Sequence, residues 1–128
     1  MLGRHVSRLM YETVSTHELD AVTIDGTDAE IYPVGYHLGT DESRSNVWEF
    51  NEGDSGRLHK QTEQEELYYV VEGSVNFEIG DDDLTVEEGA FVAVSPEEPR
   101  RLTACEESRV LVVGAPNVAD DHVVLEDF

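Results

Sequence analysis

His59 and Gln61 stand two residues apart in LHKQT, and Glu66 follows at the head of ELYYVVE. Side chains at i and i+2 of a strand point to the same face, so the imidazole and the amide share one surface. Imidazole and carboxylate are ligand types for divalent transition metals, whereas an amide oxygen is neutral and a poor ligand for them. Further on, RRLTAC carries Arg100, Arg101 and Cys105. A guanidinium has no acceptor and stays protonated, so it binds carboxylate or phosphate but never a metal. His59 also has a plainer reading, as a histidine satisfied within the structure. The sequence contains no glycine-rich phosphate loop, Ser–His–Asp triad or zinc-knuckle spacing. No Cys–His pair activates Cys105, which reads as a small buried residue. Trp48 reads as core or interface, and His5, His17 and His122 as surface residues in termini or loops.

The elements that must position these groups are short strands. SVNFEI, residues 74–79, alternates strictly, with Val75, Phe77 and Ile79 on one face and Ser74, Asn76 and Glu78 on the other. ELYYVVE precedes it. LTV, AFVAV, RRLTA and RVLVVGAP follow, with GDDD and EEG as turns. Upstream, AVTID turns at Gly26, IYPVGYHL reads as an edge or irregular strand because of Pro33, and VWEF ends in the turn NEGDSG. HELDAVTI is a helical turn or an entry into a strand. Short strands at such spacing, with no long amphipathic helix, indicate an all-β sandwich or barrel. With Glu66 facing inward, Tyr68 lines the interior, while Leu67, Tyr69 and Val71 need cover from a second layer or a partner chain.

Residues 53–73, GDSGRLHKQTEQEELYYVVEG, resemble the first motif of the cupin superfamily, with Gly53, His59, Glu66 and Gly73 at its offsets and Gln61 in place of its second histidine. GAFVAVSPEEPRRLTAC resembles the second motif in degenerate form. Counted from Pro96, Arg101 stands at its histidine and Cys105 at its asparagine; counted from Gly89, Arg100 takes the histidine position. The nearer anchor, Pro96, favours Arg101. The resemblance covers roughly residues 45–115. It implies an all-β, cupin-type double-stranded jelly-roll β-barrel of about 8–11 strands, a ligand-binding set of His59, Gln61, Glu66, Tyr68 and Arg101, and a homodimer. It also implies a site for a divalent metal (Mn, Fe, Ni or Zn) made by three His and one Glu. Here His59 and Glu66 remain, with Gln61 as a weak third ligand and His37 as a candidate from an earlier strand. Two versions stay open: a weakened metal site, or a site in which a guanidinium replaces the metal's charge and pairs with Glu66 or an anionic ligand.

The 128 residues suit one domain, with residues 1–20 as a partly disordered arm and 21–128 as the cupin domain. MLGRHVSRLM lacks an apolar core for a secretory signal, and Met10 is an alternative start. No run is long and apolar enough to span a membrane, and a single cysteine fits a cytoplasmic protein. Eight Lys and Arg against 29 Asp and Glu give a net charge of −21, spread along the whole chain. This composition resembles that of proteins from salt-in halophilic archaea, and a nucleic-acid partner is excluded for want of a basic face. Three classes follow: a metal-free cupin binding a small, anionic molecule; a metal-dependent dioxygenase or isomerase; and a module that acts through protein contacts.

Overall fold

The structure, a computed structural model, describes residues 10–125. The expectations about the first nine residues, including His5, lie outside them. Ten strands form two five-stranded antiparallel sheets. One sheet runs β1 (Glu30–Tyr32), β2 (Arg44–Phe50), β9 (Ser108–Ala115), β4 (Glu65–Glu72), β7 (Phe91–Val94). The other runs β10 (His122–Val124), β3 (His59–Gln61), β8 (Arg100–Ala104), β5 (Ser74–Ile79), β6 (Asp82–Glu87). This is the jelly-roll arrangement expected, in which the chain passes back and forth between two facing sheets, apart from the hairpin pairs β1–β2 and β5–β6.

Alternation decides what fills that interior. On β4, Glu66, Tyr68 and Val70 are buried, whereas Leu67 and Val71 are exposed. On β8, Arg100, Leu102 and Ala104 are buried. Val75 and Phe77 of β5 and Val110 and Val112 of β9 are buried in the same core. Burying side chains of this size stabilises by about 1.5–3 kcal/mol each, so the alternating strands hold the two sheets together.

One segment and one side chain differ from the sequence reading. IYPVGYHL splits into the edge strand β1 and the short helix α1 (Val34–Leu38), because Pro33 cannot donate to the ladder and stands at the N-cap instead. His37 therefore lies on a helix, packed edge-on against Tyr36, and does not line the cavity described below. Cys105, expected to be buried, is exposed. HELDAVTI contains a 3-10 turn, Thr16–Glu18, held by a capping box between Ser15 and Glu18. Among the described residues no helix is long and apolar enough to cross a membrane.

Candidate functional site

The barrel interior holds a cavity of about 420 Å³, lined in part by core residues. Its walls include apolar side chains such as Ile31, Trp48, Phe50 and Val112, and a polar group of His59, Gln61, Gln64, Glu66, Tyr68 and Arg100. His59, Gln61, Glu66 and Tyr68 thus meet at one place. Trp48 lines the cavity rather than serving only as core, packing edge-on against Phe50 and Tyr68.

The guanidinium in the cavity belongs to Arg100, not to Arg101. Arg100 is 1% exposed and pairs directly with His59 across β3 and β8, so the two share the inner face. Arg101 points outward, opposite Glu78 on β5, and its Nε donates to Glu78 Oε2 at 3.0 Å. Counting from Pro96 places the wrong arginine inside. Alternation in RRLTA identifies the right one: Leu102 and Ala104 must face the core, and Arg100 shares their parity.

Arg100 is fixed by main chain. Its Nη1 donates to Pro96 O at 3.2 Å and its Nη2 to Ser95 O at 3.1 Å and Val94 O at 3.4 Å. Its Nε lies 3.7 Å from Glu66 Oε1, with no hydrogen-bond acceptor of its own. The same Glu66 oxygen accepts from Tyr68 Oη at 2.5 Å and lies 3.5 Å from His59 Nε2. His59 Nδ1 lies 3.1 Å from Arg57 O, which can only accept, so Nδ1 donates there. Burial works to raise the Glu66 pKa, but hydrogen bonds from His59 and Tyr68 and the charges of His59 and Arg100 outweigh it and hold the carboxyl below its ordinary value. Burial and the neighbouring Glu66 carboxylate push the Tyr68 hydroxyl well up, so it stays a donor.

The sequence reading missed three contributors. His122 is exposed, as expected, but lies on β10, pairs with Gln61 across β10 and β3 and stacks on His59 with ring centroids 4.2 Å apart. Partial burial, then the positive charges of His59, Arg57 and Arg100, bring its pKa down to about 4, although Glu66 opposes the shift. Gln64 is buried and hydrogen-bonds Gln61. Arg57 lies over Gly26, where a Cβ would come within 2.0 Å of its Nε, so glycine there makes room for the guanidinium.

Asp121, also unnoticed in sequence, holds the β3–β4 turn. Its carboxylate accepts from the Thr62 hydroxyl and from the backbone N–H groups of Thr62, Glu63 and Gln64. Burial works against its ionisation, but these bonds outweigh it and lower its pKa from 3.8 to about 2. Its folded pKa is depressed, so its contribution is complete above pH 3.8 and disappears as pH falls through about 2. Asp121→Asn is expected to lower stability at neutral pH, with the gap to the parent narrowing over that acid window. Urea denaturation at a series of pH values checks this, and a gap that does not narrow would contradict it.

Residues 46–114 match the cupin domain family. The chain belongs to the cupin family. No curated protein matches the sequence. Among solved structures, this cupin is similar to the polyketide cyclase RemF from Streptomyces resistomycificus, with a TM-score of 0.80 and 20% identity over 93% of this chain and 88% of that one. It is also similar to KdgF from Halomonas sp., with a TM-score of 0.71 and 21% identity over 81% and 92% of the two chains. A third likeness is to an RmlC-like cupin from Shewanella frigidimarina, with a TM-score of 0.72 and 15% identity over 88% and 96%. At such identities the likeness is one of fold, and one fold hosts many chemistries.

The metal that the cupin resemblance implies does not fit these residues. Among the described residues no three His, Cys, Asp or Glu side chains come together as a metal site. The histidine position of the second motif holds Arg100, which has no lone pair to give. Its fixed charge would repel a cation at Glu66 by about 4 kcal/mol per unit charge at a separation of about 4 Å. Glu66 Oε1 is already committed to Tyr68, with His59 and Arg100 beside it.

Proposed function

We propose that this cupin binds a small organic acid inside the barrel, held by arginine rather than by a metal. The observation that carries this is the placement of cations. Of eight Lys and Arg in a chain of net charge −21, Arg44, Arg57 and Arg100 line this one cavity. Lys60, Arg101 and Arg109 pair with the outward carboxylates Glu97, Glu78 and Glu49. Arg57 Nε, by contrast, is buried with no acceptor. A buried donor without a partner costs roughly 1–3 kcal/mol, which an incoming carboxylate would offset. Arg44, Arg57 and Arg100 line an interior that also holds Glu66, Asp120 and Asp121, and whose apolar wall, including Ile31, Trp48 and Phe50, suits an acid with an apolar body.

Two measurements test this. Untagged protein purified in molar salt should contain no stoichiometric Mn, Fe, Ni or Zn by elemental mass spectrometry. Small carboxylates should raise its melting temperature, and Arg57→Met should weaken their binding by about tenfold or more. About one metal ion per chain, lost in His59→Ala, would overturn the reading in favour of a metal-dependent enzyme using His59, Gln61 and Glu66.

We propose further that two copies associate through the outer face of the first sheet. Tyr32, Val47, Leu111, Tyr69 and Phe91 are register partners in one row across its five strands, with Tyr69 and Phe91 stacked 4.3 Å apart. Ser45, Val113, Leu67 and Ala93 form the adjacent row. Neither row carries a charge, although the chain holds 29 acids. Like-charged copies approach at least cost through such an acid-free patch, which Glu30, Glu49 and Glu65 border on the same face. Phe91→Glu is expected to convert a dimer into a monomer by light scattering. A parent protein that is already monomeric at high concentration would sink the idea.

A further inference from the structure

Gln61 has a fixed orientation that the acid-binding reading does not use. The Pro116 carbonyl can only accept, so Gln64 must turn its Nε2 toward it, at 3.1 Å. Gln64 Oε1 then faces Gln61, whose Nε2 donates to it at 2.9 Å. Each amide has only two orientations, so the main chain at Pro116 dictates both. Gln61 Oε1 is left buried with no donor, on a residue that lines the cavity. Gly114 of β9 makes room for this relay, because a Cβ there would come within 2.4 Å of the Gln64 amide.

The residues lining the cavity therefore carry unmet needs of two opposite kinds: donors without an acceptor at Arg57 Nε and Arg100 Nε, and an acceptor without a donor at Gln61 Oε1. Building on the acid-binding reading, we infer that the ligand is a hydroxylated organic acid, whose carboxylate meets Arg57 and whose hydroxyl donates to Gln61 Oε1. An ammonium group would supply a donor too, but of the carboxylates lining the cavity Glu66 is engaged by Tyr68, His59 and Arg100, Asp121 is engaged by the β3–β4 turn and Asp120 is exposed, which leaves Arg44, Arg57 and Arg100 to repel a cation. A hydroxyl is the neutral donor that satisfies the amide oxygen without that repulsion. An acid lacking it would return nothing to the amide oxygen and leave it without a donor.

Matched pairs of acids test this. Titration calorimetry would compare para-hydroxyphenylacetate with phenylacetate, and para-hydroxycinnamate with cinnamate. In the parent protein the hydroxylated member should bind about tenfold to a hundredfold more tightly. That ratio should collapse toward one in Gln61→Met, which removes the acceptor. It should also collapse in Gln64→Met, which leaves Gln61 in place but frees its amide to turn. A purely structural role for Gln61 and Gln64 would weaken both members alike and leave the ratio standing. Acids that bind with a ratio near one in the parent, or with a ratio that persists in both variants, would overturn the hydroxyl inference while leaving acid binding intact. Binding of none of the four would instead overturn the acid-binding reading beneath it.

Discussion

Arg100→Ala is expected to lower folding stability by about 3–5 kcal/mol at neutral pH, among the largest losses available to a single substitution in this chain. The guanidinium is 1% exposed and donates to the carbonyls of Val94, Ser95 and Pro96, so its removal strands main-chain acceptors at the β7–β8 connection. It also removes a positive charge from beside Glu66, which is buried. Truncating one partner of a buried pair is costly because the other stays charged in a poor environment, and Tyr68 and His59 compensate only in part. Arg100→Met, which keeps the apolar stem, separates charge from packing. The pH dependence identifies the electrostatic share. Glu66 is held below its ordinary value of 4.5, so its ionised form contributes stability above that value and loses the contribution as pH falls through its folded pKa. Without Arg100 that pKa rises. The difference between parent and variant should therefore be greatest at neutral pH and shrink in acid, down to the part owed to the backbone bonds. Guanidinium denaturation across pH 3–8 measures it. A loss that is small, or independent of pH, would mean that Arg100 does not govern Glu66.

The same arginine shows where sequence reading works and where it stops. Strands such as SVNFEI were legible because one face of each is apolar, and a period of two survives in the letters. The inward set of β4 followed from Glu66 by parity alone. Arg100 broke the pattern by being the longest and most polar residue on an inner face, so its neighbours Leu102 and Ala104, not its own chemistry, revealed its direction. Motif counting pointed to Arg101 because Pro96 stands one residue late in the second motif; the spacing from Gly89 to Arg100 is kept across that loop, and an error of one in the count moves the assignment to the opposite face.

His122, Gln64 and Asp121 were illegible for a different reason. None shares a local pattern with His59, from which His122 is 63 residues distant in sequence. β10 has only three residues, and its pairing with β3 is what places His122 on the Gln61 face. Asp121 then ties the β3–β4 turn through the backbone of residues 62–64. Such contacts depend on how the last described strand returns to the barrel, and that return is set by tertiary packing rather than by composition or periodicity. The helix at residues 34–38 is similar: a run that begins as a strand is diverted by one proline.

If Arg100 is what bars a metal, its removal together with the weak ligand should admit one. Gln61→His with Arg100→His is expected to bind about one divalent transition-metal ion per chain, where the parent binds none. The register supports this choice. Position 100 lies directly opposite His59, positions 59 and 61 share a face, and Glu66 Oε1 is within 3.5 Å of His59 Nε2. The exchange would give an all-imidazole and carboxylate set and would lift the fixed charge that repels a cation. Binding should appear by elemental analysis and as a melting temperature that rises with added metal. At a free concentration of about a hundred times Kd it would add about 2.7 kcal/mol of stability. Gln61→His alone is the decisive control. It adds a strong ligand but keeps the guanidinium, and so should bind metal poorly. Should that single variant take up metal as tightly as the double one, the barrier would lie in the weak amide ligand, and Arg100 would have to be read as a support for the β7–β8 connection rather than as the group that replaces a metal in this barrel.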